Sequence, residues 1–247
     1  MIVVLSGEGI SDLGACNNQI GECRGEFYVP GPLVVAVDGV IATCLDYSPL
    51  EVHPETYRYY SESFLAERLK ERKRERRGFV LAGKKHGQET GLFYSNAWML
   101  GEVAKKIELE EGDVAVAILF RDADGTNSAP NDLWERKLLS IEEGFKRAEF
   151  ERGIPMLPRP KSESWFLCAI KPDPYQHCAA LENMPGNDNS PNAAKTILAE
   201  ALGGEATSGA LSNWLNENQL NLEALAEQMP SFAAFYEKAK NVFRALN

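Results

Sequence analysis

No apolar run in this chain of 247 residues approaches the roughly 18 that a membrane-spanning helix needs. No charged-then-apolar leader opens it either, so the expectation is a soluble protein that is not exported and has no membrane partner. There is no C-x-x-C pair. The cysteines, Cys16, Cys23, Cys44, Cys168 and Cys178, are odd in number and widely spread, and no histidine stands near them at zinc spacing. Free thiols in a reducing cytoplasm follow as the expectation. No G-x-x-x-x-G-K-[ST] loop occurs, so any ATP that is used must come from a partner protein. Positive charge is scarce: the formal net charge is -10, and the surface as a whole repels nucleic acid, so such binding needs a local basic patch.

The chain is long enough to bury a full core without disulfides or a structural metal. Short apolar runs at Ile2–Leu5, Phe79–Gly83, Val114–Phe120 and Ile154–Leu157 read as strands, and the third is apolar on both faces as buried parallel strands are. Helical spacing covers Leu92–Lys106 and Asp132–Arg152, and Tyr57–Arg77 reads as a helix stopped by Gly78. Strand alternating with helix is the pattern of an α/β sheet. Residues 15–77 read as an insertion that is rich in Gly, Pro and Asn at its start, with an apolar run Leu33–Val37 that fits a hairpin. Beyond Pro172 four helical stretches with no internal repeat form a helical C-terminal region, 171–247, beside an α/β domain over 1–170.

Carboxylates gather just past two of the strand runs. Ile2–Leu5 runs into Ser6-Gly7-Glu8-Gly9, and Val114–Phe120 runs into Arg121-Asp122-Ala123-Asp124-Gly125. In an open parallel sheet such strand ends converge on one crevice. Two like charges about 4 Å apart cost on the order of 4 kcal/mol at an effective dielectric near 20, and a divalent cation relieves that cost. Asp12, four residues after Glu8, shares its face if this turn is helical, and Glu163 arrives after the last strand. The candidate metal ligands are therefore Glu8, Asp12, Asp122, Asp124 and Glu163, with Mg2+ or Mn2+ as the cofactor. Lys161, beside Glu163, is placed to stabilise a developing phosphate charge.

A Glu in a Gly-rich turn after the first strand, followed by Asp-x-Asp after a later strand, resembles the Toprim domain of topoisomerases, primases and the overcoming-lysogenization-defect nucleases. Asp12 and Glu163 make the pattern similar to the nuclease branch, and Pro160-Lys161-Ser162-Glu163-Ser164-Trp165 resembles small stand-alone Toprim-like proteins of bacterial defence loci. The resemblance covers roughly residues 1–10 and 79–170. It implies a Toprim-like, mainly parallel sheet flanked by helices, and a Mg2+-dependent nuclease, with Glu8, Asp122, Asp124 and Lys161 catalytic. It further implies a cytoplasmic effector of an anti-phage defence system, acting on DNA or RNA beside an ATPase partner.

Two rival readings stay open. Asp122-Ala123-Asp124-Gly125-Thr126 also resembles the D-x-D-G-T signature of haloacid-dehalogenase-like phosphatases, in which the first Asp is the nucleophile. The downstream acid that this family needs has a single candidate, in Gly186-Asn187-Asp188-Asn189. Alternatively, the acidic crevice is a non-catalytic docking module of a larger complex. The one dense positive region comprises Arg72, Lys73, Arg74, Arg76 and Arg77 with Lys84 and Lys85, as a nucleic-acid contact requires. Interleaved Glu67, Glu71 and Glu75 equally fit a solvated helix with internal ion pairs.

Overall fold

The computed structural model describes residues 1–9, 12–75, 90–124 and 132–246. The chain opens with strand β1 (Ile2–Gly7), followed by the short strands β2 (Gly14–Cys16), β3 (Glu22–Arg24) and β4 (Tyr28–Pro30). Helices α1 (Pro32–Leu45) and α2 (Pro49–Val52) precede β5 (Tyr57–Tyr60) and α3 (Glu62–Glu75). Then come α4 (Gly91–Glu111), β6 (Ala115–Phe120), α5 (Leu133–Arg147), β7 (Gly153–Met156) and α6 (Ser162–Ile170). The C-terminal part holds α7 (Ala194–Ala201), α8 (Ser208–Glu217), α9 (Leu222–Gln228) and α10 (Pro230–Arg244). No described helix is long and apolar enough to cross a membrane.

The protein is α/β. Its five-stranded sheet has the order β3-β5-β1-β6-β7, parallel except for β3 at one edge. β2 and β4 form a separate antiparallel pair. Side chains of a strand alternate between faces. Val3, Leu5, Val116, Ile118 and Phe120 accordingly join one core with α1 and α10, whereas Ile2, Val4, Ala115, Ala117 and Leu119 join a second core with α4 and α5. From β1 the chain moves to β5 on one side, and from β5 it crosses to β6 on the other. Right-handed crossovers running in opposite directions put their helices on opposite faces, which leaves an open crevice between the carboxyl ends of β1 and β6. Packing of α4 on α5 is close enough that only glycine fits at 144, where a Cβ would lie 2.4 Å from the Tyr94 carbonyl oxygen.

Several segments differ from the sequence expectations. Tyr57–Tyr60 is a central strand and the helix begins only at Glu62, because Tyr57 and Tyr59 point into one core and Tyr60 into the other. Residues 15–77, expected as an insertion, thus supply one of the parallel strands. The Leu33–Val37 run lies inside α1, started by Pro32 at its first turn, with Leu33, Val34, Ala36 and Val37 all buried. The antiparallel pairing in this region comes from β2 and β4 instead. The C-terminal helices share their core with the sheet: Trp165 of α6 packs edge-on against Phe232 and stacks with Phe235 of α10, and its indole N–H donates to Ser231 Oγ at 2.8 Å. The free-thiol expectation is corrected. Cys16 is bonded to Cys23 and Cys168 to Cys178, which leaves Cys44, buried, as the free thiol. The expected strand Phe79–Gly83 lies outside the described residues.

Candidate functional site

The turn after β1 and the segment after β6 meet in the crevice at the topological switch point. Past β6 the chain keeps running beside the segment after β7: the N–H groups of Arg121, Ala123 and Asp124 donate to the carbonyls of Met156, Pro158 and Pro160 at 3.1, 3.1 and 2.9 Å. The buried Lys137 ammonium of α5 donates to the Ala123 carbonyl. Backbone bonds therefore hold both aspartates in place. Asp124 has φ 41°, in the left-handed region that Asp tolerates better than most residues, and its side chain is exposed.

Three links gather the carboxylates. The Asp122 N–H donates to Glu8 Oε1 at 3.0 Å. The Ser162 N–H, in the first turn of α6, donates to Asp122 Oδ1 at 3.0 Å, where the exposed amides and dipole of a helix N-terminus favour negative charge. The Ser162 hydroxyl donates to Asp12 at 2.7 Å and stands 3.5 Å from Glu163 Oε2. The expected helical turn joining Glu8 to Asp12 is not what aligns them: Gly9 has φ +73°, and Asp12 reaches the cluster through Ser162.

Burial and mutual repulsion act on this group. Burial pushes the Asp122 carboxyl well above the usual carboxylate range; Glu163, Asp12 and Glu8 add to the rise and the Ser162 N–H opposes it. The Glu8 carboxyl is also raised, by burial first and then by Asp124 and Asp12, against the pull of Arg121 and the Asp122 N–H. Glu163 is raised by burial, with Asp12 and Asp188 adding to the effect and its own N–H and Lys161 opposing it. Desolvation pulls the Lys161 ammonium down, but Asp188, Asp124 and Asp122 outweigh it and leave its pKa raised. Lys161 Nζ lies 2.9 Å from Asp188 and 3.7 Å from Asp124.

Arg121 is the principal cation inside the crevice. Its guanidinium lies 2.7 Å from Glu8 Oε2, pairs with Glu62 at the start of α3, and sits over the Phe93 ring at 4.9 Å. Sequence reasoning missed Arg121 and Glu62, although Arg121 directly precedes the Asp-x-Asp and Glu62 follows two residues after β5. It named Asp188 only as the phosphatase's missing acid, and the structure brings Asp188 to Lys161 from 27 residues away in sequence.

Glu8, Asp12, Asp122, Asp124, Lys161 and Glu163 thus lie in one crevice. Arg72, Lys73 and Arg74 lie in the last turn of α3, ten or more residues beyond Glu62, or roughly 15 Å along the helix at 1.5 Å per residue. Arg72 reaches Glu102 of α4 at 3.4 Å, whereas Glu67 and Glu71 pair with Lys70 and Arg68. Arg76, Arg77, Lys84 and Lys85 lie outside the described residues. Among the described residues no three His, Cys, Asp or Glu side chains already stand at metal-holding spacing. The donor set nevertheless fits a hard cation, since every donor is a carboxylate oxygen and three of the acids are raised by burial and by neighbouring acids. Arg121 and the Ser162 N–H hold two of the carboxylates, Glu8 and Asp122.

Comparison with family models, with curated proteins and with solved structures finds no match to this chain.

Proposed function

We propose that this crevice is the site of a Mg2+-dependent nuclease of Toprim-like design. The observation that carries the reading is Asp122: a half-buried carboxylate that accepts the Ser162 N–H at 3.0 Å, with Glu163, Asp12 and Glu8 close enough to raise its pKa. Glu8, Asp12, Asp122, Asp124 and Glu163 would hold the cation. When bound, Mg2+ supplies a Lewis acid for phosphate oxygens and an activated water. The chain's own groups do the rest. Arg121 fixes Glu8, Ser162 fixes Asp122 and Asp12 together, and Lys161 offers a positive charge at the crevice rim, where a leaving phosphate oxygen develops charge.

The phosphatase reading requires Asp122 to be an ionised, accessible nucleophile. That reading leaves Glu8 without a role, whereas the Asp122 N–H donates to Glu8 Oε1 at 3.0 Å and joins the two acids in one site. A role as anti-phage effector beside an ATPase rests on the sequence resemblance alone. A cytoplasmic setting requires the two disulfides to survive a reducing milieu, which cytosolic disulfides seldom do. The deciding experiment incubates purified protein with Mg2+ or Mn2+ and plasmid, single-stranded DNA or tRNA, beside an Asp122→Ala control. Cleavage that needs both the metal and Asp122 is expected. Docking without catalysis would leave every substrate intact.

A further inference from the structure

A second cavity, of about 360 Å3, opens on the other side of the Gly7–Gly9 turn, toward the start of α3. Its lining includes Gly9, Asn18, Gln19, Gly21, Glu62 and Ser63. The volume falls in the range of small-ligand sites, roughly 300–1,000 Å3. No lysine or arginine lines it among the described residues, so it does not suit a phosphate, and the Glu62 carboxylate, the Asn18 and Gln19 amides and the serine hydroxyls stand beside apolar walls from Ala15, Cys16 and Tyr59. An uncharged group rich in hydroxyls and amide-like edges suits it best.

Two of its walls are fixed. Asn18 ties its own loop together, donating to the Glu22 carbonyl at 2.9 Å and accepting the Ile20 N–H at 3.1 Å, and the Cys16–Cys23 disulfide closes the same loop. Opposite, Arg121 and Asn96 both bond Oε1 of Glu62, the latter at 2.7 Å, so among the described residues Oε2 remains as a charged acceptor. Gln19, exposed on the loop, offers one donor and one acceptor edge. The cavity and the carboxylate cluster share the Gly7–Gly9 turn and the Arg121–Glu62 pair, so a ligand filling one is a close neighbour of a ligand filling the other.

We propose that this cavity receives the ribose and base of the nucleotide flanking the phosphate handled by the carboxylates. The sugar hydroxyls donate to Glu62 and the base edge meets the Gln19 amide. This assignment rests on the nucleic-acid reading above and narrows it to RNA, because the 2′-hydroxyl is the donor that a carboxylate can use to separate ribose from deoxyribose.

The test uses the full chain with adenosine and uridine against their 2′-deoxy counterparts, titrated by NMR without metal, so that neither phosphate nor Mg2+ contributes. One hydrogen bond to a charged acceptor predicts about tenfold tighter binding of the ribonucleosides. Glu62→Gln should bring the two classes near parity. Ser63→Trp, an exposed substitution at the rim that leaves the core packing intact, should block both. Equal affinities in the parent, no nucleoside binding, or a Ser63→Trp variant that binds like the parent would overturn the assignment. Calorimetric Mg2+ titration of the same preparations separates the two claims. Ribose discrimination without Mg2+ binding would sink the metal reading and keep the cavity, and the reverse result would do the opposite.

Discussion

The N–H of Asp122 donates to the carboxylate of Glu8 at 3.0 Å across 114 residues of sequence, joining the ends of two adjacent parallel strands. This bond makes the two strand-end motifs one site. It also leaves Glu8 partly neutralised by Arg121, so the carboxylates are not equivalent.

Asp124 is the exposed member, so changing it should affect ligand binding more than folding. Asp124→Asn keeps a side chain that tolerates φ 41° and removes one charge. At the high dielectric that suits an exposed carboxylate, the loss is about 1 kcal/mol or somewhat more, or roughly tenfold weaker Mg2+ binding. Calorimetry with Mg2+ and a urea melt measure the two effects, and an unchanged Mg2+ affinity would remove Asp124 from the ligand set.

Stability should depend on pH through Glu8, Asp122 and Glu163, whose carboxyls are all raised in the fold. A raised carboxyl binds its proton more tightly folded than unfolded. Its contribution to stability is full below the ordinary carboxylate range, is lost as pH climbs through the raised folded value, and stays lost above it. Relative to Asp122→Asn, the metal-free parent should therefore weaken as pH rises through that window. Urea midpoints taken along a pH series, with and without Mg2+, test this, and Mg2+ should flatten the parent's decline.

The basic end of α3 should show itself in salt dependence. If Arg72, Lys73 and Arg74 bind phosphates, changing all three to Ala should reduce the slope of log K against log salt by about 0.7–0.9 for each phosphate no longer neutralised, while Mg2+ affinity is kept. Loss of the Arg72–Glu102 pair, which is partly exposed, should cost at most about 1 kcal/mol. Filter binding from about 50 to 200 mM salt gives the slope. Parent-like affinity and slope would assign the segment to structure or to a protein partner.

Thiol counting checks the disulfides. The denatured, unreduced chain should show one reactive thiol, Cys44, and five after reduction. Opening the Cys168–Cys178 loop, with its separation of 10, should cost about 2–3 kcal/mol in the chain-entropy model. Five thiols without reductant would restore the free-thiol expectation.

The sequence made β1, β6, β7, α4, α5 and the C-terminal helices legible because each carries a run or a period long enough to outweigh its neighbours. β5 was hidden by its composition: Tyr57-Arg58-Tyr59-Tyr60 has no aliphatic residue, and the helical pattern after it extended backwards over it. Valines starting α1 read as strand because β-branched residues favour sheets, whereas burial of nearly every position there overrides that preference. Glu8 and the aspartate pair stood out because strand ends locate them. Arg121, Glu62 and Asp188 did not, since an ion pair between distant residues leaves no local pattern. The cysteine pairs sit 7 and 10 apart, one between the short strands β2 and β3 and one from α6 to the turn beyond it, a spacing that carries no metal or redox signature.

The pairing of β1 with β6 aligns Gly7 with Phe120 and so sets Glu8 beside Arg121 and Asp122. A slip of one residue would turn either Val3 and Leu5 or Val116 and Ile118, whichever strand moved, out of their core as well as separating the carboxylates. Joining these strands closes a loop of more than a hundred residues, the kind of pairing whose entropy cost makes it late in folding. A nascent or partly folded chain therefore carries Glu8 apart from Asp122, Asp124 and Arg121. Whatever chemistry the crevice performs is withheld until the longest-range pairing of its sheet is complete.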